Sequence, residues 1–147
     1  MPRCSENILE GKKLKATGFW LQASSQSELV MRDFKKLMIW QLGMDIVDKV
    51  YEIVPSLPSD ERFGIRSQMT RCAVSIPGNI AEGSAKTSQK DYMRYSEISL
   101  GSAFELETHL LIVQRRKWVE EEKVSELLVM INNEQKMLAS FIDKLKG

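Results

Sequence analysis

From Ile65 to Ile80 apolar side chains recur every three or four residues, at Ile65, Met69, Cys72, Ala73, Ile76 and Ile80, with Pro77 inside the run. That step is one face of an α-helix and does not suit a strand, whose side chains alternate. A second stripe of polar residues, Gln68, Arg71, Ser75, Asn79 and Glu82, climbs beside the first. Pro77 lacks the N–H that would bond the Ala73 carbonyl, so it should kink the helix, at about 3 kcal/mol where neighbours give no support. Gly78 softens the same turn, and Gly83 is placed to end the helix at C′. A helix that carries this handicap has to be held by others, and the segment therefore predicts a packed helical domain.

The flanking sequence supplies three more helices. The first runs from Asp33, a plausible N-cap, to Val54, where Pro55 stops it. Leu37, Trp40, Met44, Val47, Tyr51 and Val54 form its apolar stripe, with Trp40 and Tyr51 read as core packing. The second helix opens near Ser59 or Asp60 and ends at Gly83. The third begins at Ser88, with Asp91 three residues on as an approximate capping box. Its stripe is Tyr92, Tyr95, Ser99, Ala103, Leu106, Leu110 and Val113, widened by Ile98, Phe104 and Leu111. Ser99, Gly101, Ser102 and Ala103 are small enough for another backbone to approach closely. The fourth opens on Glu120-Glu121-Glu122, favourable at a helix start. It continues through Val124, Leu127, Leu128, Ile131, Leu138, Phe141, Ile142 and Leu145, with Gln135 interrupting the stripe.

The expected fold is all-α: an antiparallel up-down-up-down four-helix bundle over residues 31–147, its second helix kinked. Residues 1–30 hold no sustained period and read as a flexible N-terminal extension; the alternative is a short docking segment built on Phe19, Trp20 and Leu21. The chain has 147 residues, 43% hydrophobic and 28% charged, which suits one globular domain. No apolar run is long enough to span a membrane. Cys4 and Cys72 sit in unlike contexts and suggest no disulfide framework, so a reducing cytoplasm is the expected setting. Lys and Arg total 21 against 20 acidic residues, and residues 31–147 carry 17 of each. Bulk charge therefore gives no reason to expect nucleic-acid binding, which leans on a basic excess.

The strings Phe63-Gly64, Gln68, Arg71, Ser75-Ile76-Pro77, Asn79-Ile80-Ala81-Glu82-Gly83 and Gly101-Ser102-Ala103-Phe104-Glu105-Leu106-Glu107-Thr108 resemble the proteins named after intervening sequences in bacterial 23S ribosomal RNA genes. The likeness runs from about Phe34 to the C-terminus. It implies a bacterial four-helix bundle that assembles as a homopentamer, and distant kinship with the basic accessory protein of diversity-generating retroelements. That relative partners a reverse transcriptase and nucleic acid. The neutral balance of this chain departs from it.

Catalytic chemistry has little to draw on. His109 is the only histidine, and Glu105 and Glu107, two apart, point to different helix faces. A di-iron bundle needs paired Glu-x-x-His motifs, but Leu106 stands three before His109. No catalytic residue, metal ligand or cofactor is expected. Gln68, Arg71, Ser75, Asn79 and Glu82 are expected to form a buried network with Glu105 and Ser102, inside the bundle or between subunits; a ligand groove is the alternative. Lys35 and Lys36, Arg62 and Arg66, and Arg115, Arg116 and Lys117 are the candidate nucleic-acid contacts, each more simply a solvated surface cluster. The expected function is a non-enzymatic, self-assembling scaffold or adaptor. The alternative is an accessory factor that binds RNA or DNA.

Overall fold

The computed structural model describes residues 32–147, and within them there are four α-helices. We label them α1 (Met38–Ile53), α2 (Ile65–Ser84), α3 (Gln89–Arg116) and α4 (Glu121–Leu145). The proposed extension, residues 1–30, and its Phe19-Trp20-Leu21 alternative lie outside the described residues. No helix among those described is long and apolar enough to cross a membrane.

Each helix packs on the next and α1 packs on α4, while the diagonal pairs do not meet. Side chains fix the directions. Ser75 meets Ser102, and Ser99 meets Ile76, while Gly83 lies against Tyr95 and Tyr92, so numbers rise along α2 as they fall along α3. Gln135 meets Glu107 and Phe141 meets Tyr92, which sets α4 antiparallel to α3. One core fills the ring, with Ile46, Val50, Met69, Ile76, Ile80, Leu106, Leu110, Leu127, Ile131 and Leu138 almost wholly buried.

The buried face of α1 differs from the expected stripe by one position. Ile39, Gly43, Ile46, Val50 and Ile53 face the core, whereas Met44 and Tyr51 are exposed, Tyr51 to 55%. Trp40 is half-buried and meets Phe34 edge-on, with ring centroids 5.5 Å apart. Both faces of this helix carry apolar residues, and Gly43 decides between them. A Cβ there would lie 3.3 Å from Ile76 Cγ2 and 3.5 Å from the Pro77 ring, so the glycine lets α1 press on α2 where the proline sits. Asp33 caps a short 3-10 turn, accepting from Lys35 N at 3.2 Å, and α1 itself begins later.

α2 also starts later than expected. Ser59–Glu61 is a 3-10 turn, and the Glu61 carboxylate accepts from Ile65 N at 3.2 Å, meeting one of the free amides of the helix start. Its apolar stripe is buried as the spacing predicts, and the helix continues unbroken through Pro77. It also runs past Gly83 to Ser84. Gly83 is therefore a contact residue and not a terminator: a Cβ there would stand 2.8 Å from Tyr95 Cβ. The expected N-cap of α3 is present, with Ser88 Oγ accepting from Asp91 N at 3.1 Å. Ile98, Phe104 and Leu111, expected to widen the α3 core stripe, are exposed instead. On α4 the stripe runs Val124, Leu127, Ile131, Glu134, Leu138 and Ile142, so Glu134 interrupts the core and half-buried Gln135 sits beside it.

Candidate functional site

The seam between α2 and α3 holds a cluster of polar side chains. At its middle, Ser75 Oγ and Ser102 Oγ lie 2.8 Å apart, and Asn79 Nδ2 donates to both the Ser75 hydroxyl and its carbonyl at 2.8 Å. One turn further along, buried Ser99 donates to the Ile76 carbonyl at 2.8 Å. The Ser75–Ser102 and Ser99–Ile76 bonds tie the two helices together beside Pro77.

The expected network is thus joined only in part. Ser75 and Asn79 belong to it with Ser102, while Gln68, Arg71 and Glu82 are exposed on the outside of α2, and none of the three makes a side-chain hydrogen bond or ion pair among the described residues. At 100° per residue, Arg71 and Glu82 sit on one margin of the stripe, while Gln68 shares the direction of Ser75 and Asn79 two turns nearer the start of α2. Only Ser75 of the five bonds across to α3. Glu105 is placed elsewhere, one turn along α3 from Ser102.

There Glu105 meets Cys72 and His109. The three ligand atoms, a thiol sulfur, a carboxylate oxygen and an imidazole nitrogen, all lie within 4.8 Å of one another. Glu105 and His109 are one helical turn apart, and His109 Nε2 stands 3.6 Å from Glu105 Oε1. Cys72 is free and buried, while the His109 side chain is 17% exposed and that of Glu105 is 55% exposed. Nε2 itself is buried and has no hydrogen-bond partner. Burial pushes the Cys72 thiol up to about 12; the hydrogen bond and charge of Glu105 add to this, and Arg71 opposes it. Sequence spacing could suggest the Glu105–His109 pair, four apart on one helix. It could not supply Cys72, which arrives from another helix.

Glu134 is the second feature missed. It is 0% exposed, and neither carboxylate oxygen has a partner. Burial lifts its carboxyl to about 8. The sequence signal is ambiguous, because Glu134 and Gln135 both fit the core step between Ile131 and Leu138.

The basic candidates are surface groups. Lys35, Lys36, Arg62, Arg115, Arg116 and Lys117 are exposed and Arg66 is half-buried. Several rest on aromatic faces, Arg62 on Phe63 at 5.4 Å and Arg116 on Trp118 at 5.7 Å. Because α3 runs antiparallel to α2, Arg62 and Arg66 share an end of the bundle with Arg115, Arg116 and Lys117; Arg32 Nη1 donates to the Lys86 carbonyl at 3.1 Å, which puts Lys35 and Lys36 toward the other end. Arg62 and Arg66 border a shallow hollow with Val54, Ser67 and Thr70.

Comparison with known proteins places this arrangement. No curated protein matches the chain. Among solved structures, it is similar to a protein of unknown function from the S23 ribosomal protein family of Bacteroides thetaiotaomicron. The two are 22% identical, with a TM-score of 0.67 over 71% of this chain and 98% of that one. At that identity the likeness shows a shared fold and nothing of activity. A family model described as 23S rRNA-intervening sequence protein matches residues 35–140, which take in all of α1, α2 and α3 and most of α4. The chain belongs to the 23S rRNA-intervening sequence protein family.

Proposed function

We propose that this protein is a non-enzymatic scaffold or adaptor that works by assembling with copies of itself. The observation that carries this reading is the outer side of α3, where Ile98, Phe104, Leu111 and Ile112 are all exposed around the bare backbone of Gly101. A helix that turns large apolar groups to water usually has a partner for them. Val74 adds a further exposed apolar group on neighbouring α2. A near-neutral domain carries no single-sign field that would keep copies apart, and five copies is the number that the family resemblance implies. Sedimentation of the wild-type chain against Phe104→Glu tests the reading. The expected result is a closed oligomer that the substitution converts to helical monomers. A wild-type chain that stays monomeric at high concentration would overturn it.

A nucleic-acid-binding accessory role is the second reading, supported by the convergence of Arg62 and Arg66 with Arg115, Arg116 and Lys117 at one end of the bundle. Repetition around an oligomer would add avidity to weak contacts. Glu120, Glu121 and Glu122 share that end and blunt its charge. Mixed-sequence RNA offered at two salt concentrations separates the readings. Salt-sensitive binding that is lost on neutralising Arg115, Arg116 and Lys117 favours the accessory role; no binding at low salt removes it.

A further inference from the structure

We propose that Cys72, Glu105 and His109 form a binding site for one divalent transition ion, zinc foremost, at the seam between α2 and α3. The three side chains offer a thiolate, a carboxylate and an imidazole, which is the mixed donor set that borderline-soft ions take and that calcium and magnesium do not. Their ligand atoms already lie within 4.8 Å of one another. Around a tetrahedral zinc ion with bonds of about 2.0 to 2.3 Å, ligand atoms stand roughly 3.5 Å apart. Side-chain rotation about helix positions that are already fixed can supply the difference.

One further observation points to a ligand. His109 Nε2 is buried and has no hydrogen-bond partner, although a nitrogen in that position ordinarily finds one. In the bound state the charges would balance: once Cys72 has given up its proton, thiolate and carboxylate together carry two negative charges, which a divalent ion neutralises in a seam where Cys72 is only 4% exposed. Metal uptake releases the Cys72 proton to solvent, forms three protein–metal bonds and changes no oxidation state. The half-exposed Glu105 side of the cluster leaves the fourth position to water. Bound there, the ion would pin α2 to α3 close to the exposed α3 face.

The test uses the untagged full chain, stripped of metal and held reduced by a phosphine, titrated with cobalt(II) as a coloured stand-in for zinc. The expected result is one equivalent bound, tetrahedral visible bands and a near-ultraviolet thiolate-to-cobalt band, all bleached by zinc. Cys72→Ser should abolish the thiolate band, and Glu105→Gln should keep it while weakening affinity by roughly tenfold or more. Absence of a thiolate band in the wild-type chain would overturn the proposal. So would a band that survives in Cys72→Ser, which would assign the metal to Cys4, or an unchanged affinity in Glu105→Gln. Should Cys72→Ser fail to fold by circular dichroism, the substitution at exposed Glu105 decides alone.

Discussion

The Ser99 hydroxyl on α3 donates to the Ile76 carbonyl on α2 at 2.8 Å, one residue ahead of Pro77, and both residues are wholly buried. Proline costs a helix both a donor and local room. Ser99 does not reach the Ala73 carbonyl that the proline leaves without its donor, but it adds a bond from α3 within the same stretch of α2. Ser99→Ala should destabilise the fold by about 1 kcal/mol, the typical worth of a buried neutral hydrogen bond. Denaturant unfolding at constant m-value measures it, and an unmoved midpoint would show that the bond contributes nothing to holding α2.

Glu134 makes stability depend on pH in an unusual direction. Its carboxyl is raised by burial to about 8, from an ordinary value near 4.5. Below about pH 4.5 both the folded and unfolded chains hold the proton, and Glu134 adds no pH-dependent cost. Between there and about pH 8 the unfolded chain releases it while the folded chain retains it, so stability falls as pH rises, by up to about 1.4 kcal/mol per unit. Above about 8 both states are ionised and the loss levels off. At pH 7 the penalty is about 3 kcal/mol. The difference in unfolding free energy between wild type and Glu134→Gln should therefore shift steadily in favour of the variant from pH 5 to 8. A difference that stays constant across that range would mean that Glu134 is ionised at no cost.

At Gly83 the two helices approach too closely for a side chain. An added Cβ would meet Tyr95 Cβ at 2.8 Å, Tyr92 Cδ2 at 3.1 Å and the Tyr92 carbonyl at 3.4 Å. Gly83→Ala should destabilise by about 1 to 3 kcal/mol through overpacking, which exceeds the gain in helix propensity of at most about 1. Thermal unfolding of the variant checks this. A raised melting temperature would mean that α3 yields easily at the two tyrosines.

The contrast between Gly83 and Gly43 on one side and Ile98 and Phe104 on the other shows what the sequence could convey. Helix identity came from the three-and-four step, which survives wherever one face is apolar, as along Ile65 to Ile80. On α1 spacing does not set the register, because Trp40, Met44, Val47 and Tyr51 keep the same step as Ile39, Gly43, Ile46 and Val50 one position earlier. The winner depends on a partner surface, the Ile76–Pro77 turn, which only Gly43 can approach. The same limit explains Ile98, Phe104 and Leu111, which look like core residues by composition but face outward in the protomer. The Cys72–Glu105–His109 cluster needed two helices in fixed register before its members could be joined. Glu134 and Gln135 both keep a three-or-four step between Ile131 and Leu138, so spacing alone does not say which of them enters the core.

Gly101 offers a substitution whose two effects should have opposite sign. It lies mid-helix on the outer side of α3, and a Cβ added there meets nothing within 4 Å in the protomer. Alanine is favoured over glycine in a helix by up to about 1 kcal/mol, so Gly101→Ala should stabilise the isolated fold by about that much. If the face between Ile98 and Ile112 is where copies meet, the bare backbone at Gly101 is where a neighbour comes closest, and the added methyl should weaken assembly. Measuring unfolding under dissociating conditions alongside the concentration dependence of sedimentation reads the two effects separately. A variant that gains helix stability and assembles as tightly as wild type would place the subunit contact away from Gly101.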